Sequence, residues 1–264
     1  MGNDIVDLDA PGAVNKSENS RFMKKVFTDA EIRHIRASAQ PDAVLWGIWA
    51  AKETAFKVVA KSCPDALFSP KKYNVRLYRN DPSAHPGSVQ TGAVTTPDGC
   101  VAVKVFFHEG HIHCIGISGN QGDLATIRHG HGYKQAEYGL QGDALPPSAR
   151  ESLAVRRLAL RHIARCFGRN EADMEIPGST GPPLLYVNGR RDKIDISLSH
   201  DGRFVAYAFT LQHAGDLTVS AHADNSRQSW PDNKTPAQAR TGFAMLPARP
   251  LVFGQGIPGN KRNL

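Results

Sequence analysis

Leu45, Ile48, Trp49, Phe56 and Val59 recur with a period near 3.6 in a stretch that opens at Pro41-Asp42 and runs to about Lys61. That spacing predicts a long amphipathic helix, and such a helix needs a surface to cover its apolar stripe. Within it, Trp46 to Lys57 sets charges beside aromatic rings. Glu53 and Lys57 lie one turn apart on a single face, together with Trp46 and Ala50. An exposed Glu/Lys pair of this kind is ordinarily solvated and contributes about 0.2–0.5 kcal/mol. Beside an apolar stripe the same charges lose water and need partners.

The start of the chain supplies an acid. Gly2-Asn3-Asp4-Ile5-Val6-Asp7-Leu8 alternates in period two and predicts a short strand carrying Asp4. Between strand and helix stands Arg21-Phe22-Met23-Lys24-Lys25-Val26-Phe27-Thr28-Asp29-Ala30-Glu31. Arg21 to Lys25 begins a helical segment, and Thr28 with Glu31 makes a capping box for the next helix.

These three stretches, in this order and spacing, resemble the 4'-phosphopantetheinyl transferase superfamily. Its members open their catalytic region with Gly-x-Asp-(Ile/Val). They carry Arg-Phe-x-x-Arg-Val-Phe-Thr-x-x-Glu next, and then Trp/Phe-x-x-Lys-Glu-(Ala/Ser/Thr)-x-x-Lys on a helix. Lys25 stands here where arginine is usual, and Val6 stands where some members have a further acid.

Composition sets the outer limits. The 264 residues allow one large domain or two small ones. Apolar and charged contents of 41% and 22% are those of a globular chain. No run of about 18 apolar residues predicts a membrane span, and no basic stretch leading into an apolar core marks a signal peptide. Cys63, Cys100, Cys114 and Cys166 are scattered, as expected of reduced thiols in a cytoplasmic protein. The net charge of +7 could serve nucleic acid, a membrane surface, or an anionic small molecule and an acidic partner protein. Basic residues occur only as pairs such as Lys71-Lys72 and Arg190-Arg191, so nucleic acid is not expected as a partner.

Further along, 73–79 alternates as a strand, 80–99 reads as a long loop, and 101–107 with 111–118 reads as a hairpin around Glu109-Gly110. Residues 119–147 are glycine-rich and read as a linker. His129 and His131 within it read as loop residues, since no third ligand stands nearby in the sequence. A second unit begins near Ser148 with a helix bearing Leu153, Leu158, Leu160, Ile163 and Phe167. It continues through a breaker-rich turn at 178–183, a short strand at 185–187, and a strand at 194–199. A tight turn at His200-Asp201-Gly202 and a returning strand at 204–210 complete it. The expected division is 1–120, a linker at 121–147, 148–215, and a tail at 216–264 poor in periodic pattern and expected to be disordered. Within that tail, Phe243 to Phe253 has enough apolar residues to dock. His111 to Ser118 looks like a worn copy of Ile194 to His200.

The resemblance implies an α+β pseudo-dimer, two transferase-like units each with a small antiparallel sheet packed on helices. One site would lie at their interface, and the chain would be a monomer with an internal pseudo-twofold. The unit order is reversed relative to surfactin-type members. Asp4 and Glu53 would hold Mg2+, Glu53 or a metal-bound water it orients would take a serine proton, and Lys57 would neutralise phosphate. Lys52 would support substrate binding, and 148–215 would bind coenzyme A. There Ser199 and His200 match the family's Ser-His turn, and Arg156 and Arg161 match its Val-Arg-x-x-x-x-Arg helix. Pro182 stands where a basic residue is common. The implied activity is transfer of the phosphopantetheine arm of coenzyme A to a serine of an acidic apo carrier protein. The alternative is an inactive module that binds coenzyme A or the carrier.

Overall fold

In the computed structural model, which describes residues 1–78, 84–138, 146–178 and 181–211, the chain builds two sheets. The first unit contains β1 (Gly2–Asp7), α1 (Ser20–Val26), α2 (Asp29–Arg36), α3 (Pro41–Ser62), β2 (Asn74–Tyr78), β3 (Val89–Thr96), β4 (Gly99–His108) and β5 (His111–Ser118). The helix predicted from the apolar stripe is α3. Pro41 opens it at a position where no intrahelical N–H is needed. Thr28 and Glu31 form the expected capping box of α2, with Thr28 N–H donating to Glu31 Oε2 at 2.8 Å. The strands order β1-β5-β4-β3-β2, all antiparallel. Leu45, Ile48 and Ala55 of α3 bury themselves against Val94, Val103, Val105 and Phe107 of that sheet. A Cβ on Gly2 would stand 2.6 Å from the Thr54 carbonyl oxygen, so only glycine lets β1 start this close to α3.

The second unit contains β6 (Arg128–Tyr133), α4 (Lys134–Tyr138), α5 (Pro147–Phe167), β7 (Met174–Glu175), β8 (Leu184–Val187), β9 (Arg190–Asp201) and β10 (Phe204–Leu211). Its order is β6-β10-β9-β8-β7. Ala154, Leu158 and Ile163 of α5 pack on Ile196 and Tyr207. Position for position the two sheets repeat: β1 corresponds to β6, β5 to β10 and β4 to β9, with a long helix after the first strand of each. The α+β pseudo-dimer, two five-stranded antiparallel sheets packed on helices, is therefore present.

Four sequence readings change. The expected loop at 80–99 contains β3, whose inward positions are Gln90, Gly92, Val94 and Thr96; the alternation exists without large apolar residues to announce it. The expected linker contains β6, an edge strand of the second sheet, spelled Arg-His-Gly-His-Gly-Tyr. The counterpart of His111–Ser118 is β10, not Ile194–His200. Ser199 and His200 lie in the end of β9, and the turn itself is Gly202-Arg203. The expected tail at 216–264, including Phe243 to Phe253, lies outside the described residues.

The units meet along β1, whose six residues are all buried because β9 and β10 cover the face that α3 leaves open. Asn3 donates its backbone N–H to Ser197 Oγ at 2.9 Å and its side-chain amide to Ser199 Oγ at 2.9 Å. Asp195 accepts from Lys61 at 2.6 Å and from the Met1 ammonium at 2.7 Å. Among the described residues no helix is long and apolar enough to cross a membrane. All four cysteines are free.

Candidate active site

Asp4 and Lys57 meet because β1 lies against α3. Lys57 Nζ donates to Asp4 Oδ1 at 2.8 Å and to the Asn3 carbonyl at 3.0 Å. Burial raises the Asp4 carboxyl, and Lys57 opposes that rise. Glu53, one turn before Lys57, is pushed up to about 8 by burial and then by the Asp4 charge. No hydrogen bond or ion pair to its carboxylate occurs among the described residues. Two carboxylates thus crowd one place and only one has a cation. That is the electrostatic condition a divalent ion would relieve. The donors are oxygens, as Mg2+ prefers, and Mg2+ commonly takes one or two carboxylates. Asp4 and Glu53 fit it.

The second unit faces the same place with positive charge. His200 Nδ1 lies 3.2 Å from Glu151 Oε2, and Lys134 pairs with the other oxygen of Glu151. Burial holds His200 down to about 4 against the pull of Glu151, and Lys134, Lys57 and Arg156 add to the lowering. Lys57 of one unit and His200 of the other are therefore close enough to feel each other. Arg156 is half-buried, its Nε is buried without a partner, and its guanidinium faces Gly178. Of the three cations around this imidazole, Lys57 and Lys134 are paired with Asp4 and Glu151, and Arg156 keeps a buried, unpartnered Nε that could meet an anion. Asp201, beside this group, is pushed up to about 6 by burial, and the Asp4 and Asp7 charges add to the rise.

The sequence-predicted residues sort by this geometry. Asp4, Glu53, Lys57, His200 and Arg156 converge. Ser199 is buried at the edge of the group with its hydroxyl accepting from Asn3. Arg161 follows Arg156 by five residues on α5, which places it roughly 140° around the helix. Lys52 is elsewhere: its side chain is 0% exposed, and its ammonium donates to Glu31 Oε1 at 2.8 Å, Pro70 O at 3.0 Å and Tyr73 O at 2.5 Å. With three N–H groups and three acceptors it has nothing left for a substrate. The reading of Lys52 as a substrate contact gives way to one in which it ties α3 to α2 and to the chain entering β2. Sequence reasoning missed Lys134 and Glu151. Lys134 fell in the supposed linker, and Glu151 looks like any acid in the first turns of a helix.

No curated protein matches the chain. Residues 1–85, which supply Asp4, Glu53 and Lys57, match the family model described as the 4'-phosphopantetheinyl transferase superfamily.

Proposed function

We propose that the protein transfers the 4'-phosphopantetheine arm of coenzyme A to a serine hydroxyl of an acidic apo carrier protein and releases 3',5'-ADP. The observation that supports this best is the meeting of two carboxylates and Lys57 from one unit with His200, Lys134 and Arg156 from the other. A metal-binding pair beside an anion-binding group is what cleavage of a pyrophosphate ester needs.

Asp4 and Glu53 would hold Mg2+, which when bound supplies charge to offset the pyrophosphate and its leaving oxygen. Glu53, or a metal-bound water it orients, takes the serine proton. Lys57 sits between Asp4 and the second unit, where its ammonium stabilises phosphate oxygens as negative charge builds. Neutral His200 accepts or donates a hydrogen bond to coenzyme A, with Ser199 behind it. Arg156 takes the 3'-phosphate with its spare guanidinium hydrogens, while Arg161, on a different face of the same helix, is not placed to share that contact. The basic surface draws in both acidic partners.

The test is intact mass. The full chain is incubated with coenzyme A, Mg2+ and a panel of apo carrier proteins. A carrier that gains one phosphopantetheine arm, with the gain abolished by chelator and by Glu53→Gln, supports the transferase. Coenzyme A binding by calorimetry with no gain on any carrier would favour a binding module instead. Failure of both would sink the reading.

A further inference from the structure

Five histidines gather where β6 of the second unit lies on the β4–β5 hairpin of the first. Ring centroids of His108 and His111 are 4.5 Å apart, of His108 and His131 4.6 Å, and of His111 and His131 4.4 Å. One ring nitrogen from each of these three lies within 4.8 Å of the others. His113 and His129 form an adjoining pair at 5.4 Å. We propose that His108, His111 and His131 are the ligands of a second metal site. The site takes a borderline transition-metal cation of the Zn2+ class and fastens β6 to the β4–β5 hairpin.

The pseudo-twofold shows that this is not ordinary packing. His111 pairs with Asp7 at the start of β5, and Phe204 pairs with Tyr133 at the start of β10, so His111 corresponds to Phe204. By the same register His113 corresponds to Ala206, and His131 corresponds to Ile5. In the other half of the interface Ile5, Phe204 and Ala206 form a small apolar cluster. The same three places in this half are all imidazole. His111 and Phe204 stack at 4.3 Å, so the two clusters adjoin each other along the interface.

The buried polar atoms point the same way. His111 is 6% exposed, and its Nε2 is buried without a partner. Its Nδ1 is 3.4 Å from the Glu109 carbonyl. Donation there puts the proton on Nδ1 and leaves the Nε2 lone pair bare, the arrangement a metal-ligating histidine adopts. His113 Nδ1 is likewise buried and unpartnered. A buried polar atom with no partner calls for an explanation, and a metal ion is one. Three imidazoles suit Zn2+, Co2+ or Ni2+ rather than Mg2+, which prefers oxygen. A tetrahedral ion with bonds of about 2.0–2.1 Å sets its ligand nitrogens roughly 3.4 Å apart, so rotation of exposed His131 and half-buried His108 closes the site. The hairpin assists, because β pairing across the Glu109-Gly110 turn already holds His108 opposite His111. Three protein ligands would leave a fourth position to water.

The experiment uses the full chain without a polyhistidine tag, stripped with chelator and titrated with Co2+ and Zn2+. One equivalent of Co2+ should bind with the visible bands of a four- or five-coordinate nitrogen site. Zn2+ should displace it and raise Tm by several degrees. His108→Ala and His131→Ala, both at positions with some exposure, should each weaken binding at least roughly tenfold while the metal-free fold persists by circular dichroism. Glu53→Gln should leave the Co2+ spectrum unchanged, which separates this site from the Asp4–Glu53 pair and from the transferase reading. A featureless Co2+ titration, variants that bind as tightly as the wild type, or a thiolate charge-transfer band from a cysteine site would overturn the proposal.

Discussion

Arg203, in the β9–β10 turn, grips Asp7 of β1 across the join between the two units. Its Nη2 donates to Oδ1 at 2.7 Å, its Nε to Oδ2 at 2.9 Å, and its backbone N–H to Oδ2 at 2.8 Å. The neighbouring Gly202 makes this possible. It has a φ of 46°, and a Cβ there would fall 2.2 Å from Asp7 Oδ2. Gly202→Ala should therefore push the turn off the carboxylate and destabilise the chain by about 2 kcal/mol or more. Urea unfolding measures this. A Gly202→Ala chain as stable as the wild type would mean that the turn does not pack on Asp7.

The same contact predicts acid sensitivity. Burial alone would raise Asp7, but the hydrogen bonds from Arg203 outweigh it and hold the carboxyl below its usual range. A group with a depressed folded pKa contributes stability that is present above its unfolded pKa and is lost as pH falls through the folded value. The loss therefore belongs below about pH 4. Asp7→Asn should lower stability at neutral pH and flatten the fall on the acid side. Midpoints of urea unfolding at a series of acid pH values report both.

How much of this was legible follows from what each residue had to show. The helix α3 declared itself because one face meets the sheet, and the capping box of Thr28 and Glu31 declared itself because both halves are local. Strand β1 was legible as a strand but not in its full burial, since the second covering surface comes from residues nearly two hundred positions away. Strands β3 and β6 were not legible, because the pairing of their backbones, not the bulk of their side chains, makes them strands. Asp4, Glu53 and Lys57 were singled out through a resemblance, and periodicity alone would have left Glu53 and Lys57 as a solvated pair. His129 and His131 were set aside for want of a third ligand nearby in sequence, and the structure brings His108 and His111 to His131 from another unit.

Lys52 tests the difference between a conspicuous motif residue and a substrate contact. Its ammonium is lowered by burial and supported by Glu31, whose carboxylate also takes the Thr28 and Val75 N–H groups. Lys52→Met should leave that buried carboxylate without its cation and cost about 3–5 kcal/mol. Coenzyme A affinity, measured by calorimetry below the variant's unfolding temperature, should stay within about twofold of the wild type, a shift well under 1 kcal/mol. A tenfold loss of affinity in a variant that remains folded would return Lys52 to the substrate.

Glu53 adds its own pH dependence to the metal-free chain, beside those of Asp7 and Asp201. Its carboxyl is raised from 4.5 to about 8, first by burial and then by Asp4, so between those values the unfolded chain has lost the proton and the folded chain keeps it. Stability from this group therefore falls as pH rises through that window and levels off above it. The slope is moderated because water reaches the half-buried group. Glu53→Gln, which cannot ionise, should remove its part of the slope, leaving that of Asp201 below about pH 6, and make the metal-free chain more stable than the wild type near pH 8. Mg2+ requires the carboxylate, so its binding at pH 7 should expel a proton from the wild type. Calorimetry in buffers of different ionisation enthalpy counts that proton. A binding enthalpy independent of buffer, together with an unchanged pH profile in Glu53→Gln, would show that Glu53 is already ionised and that Asp4 does not press on it.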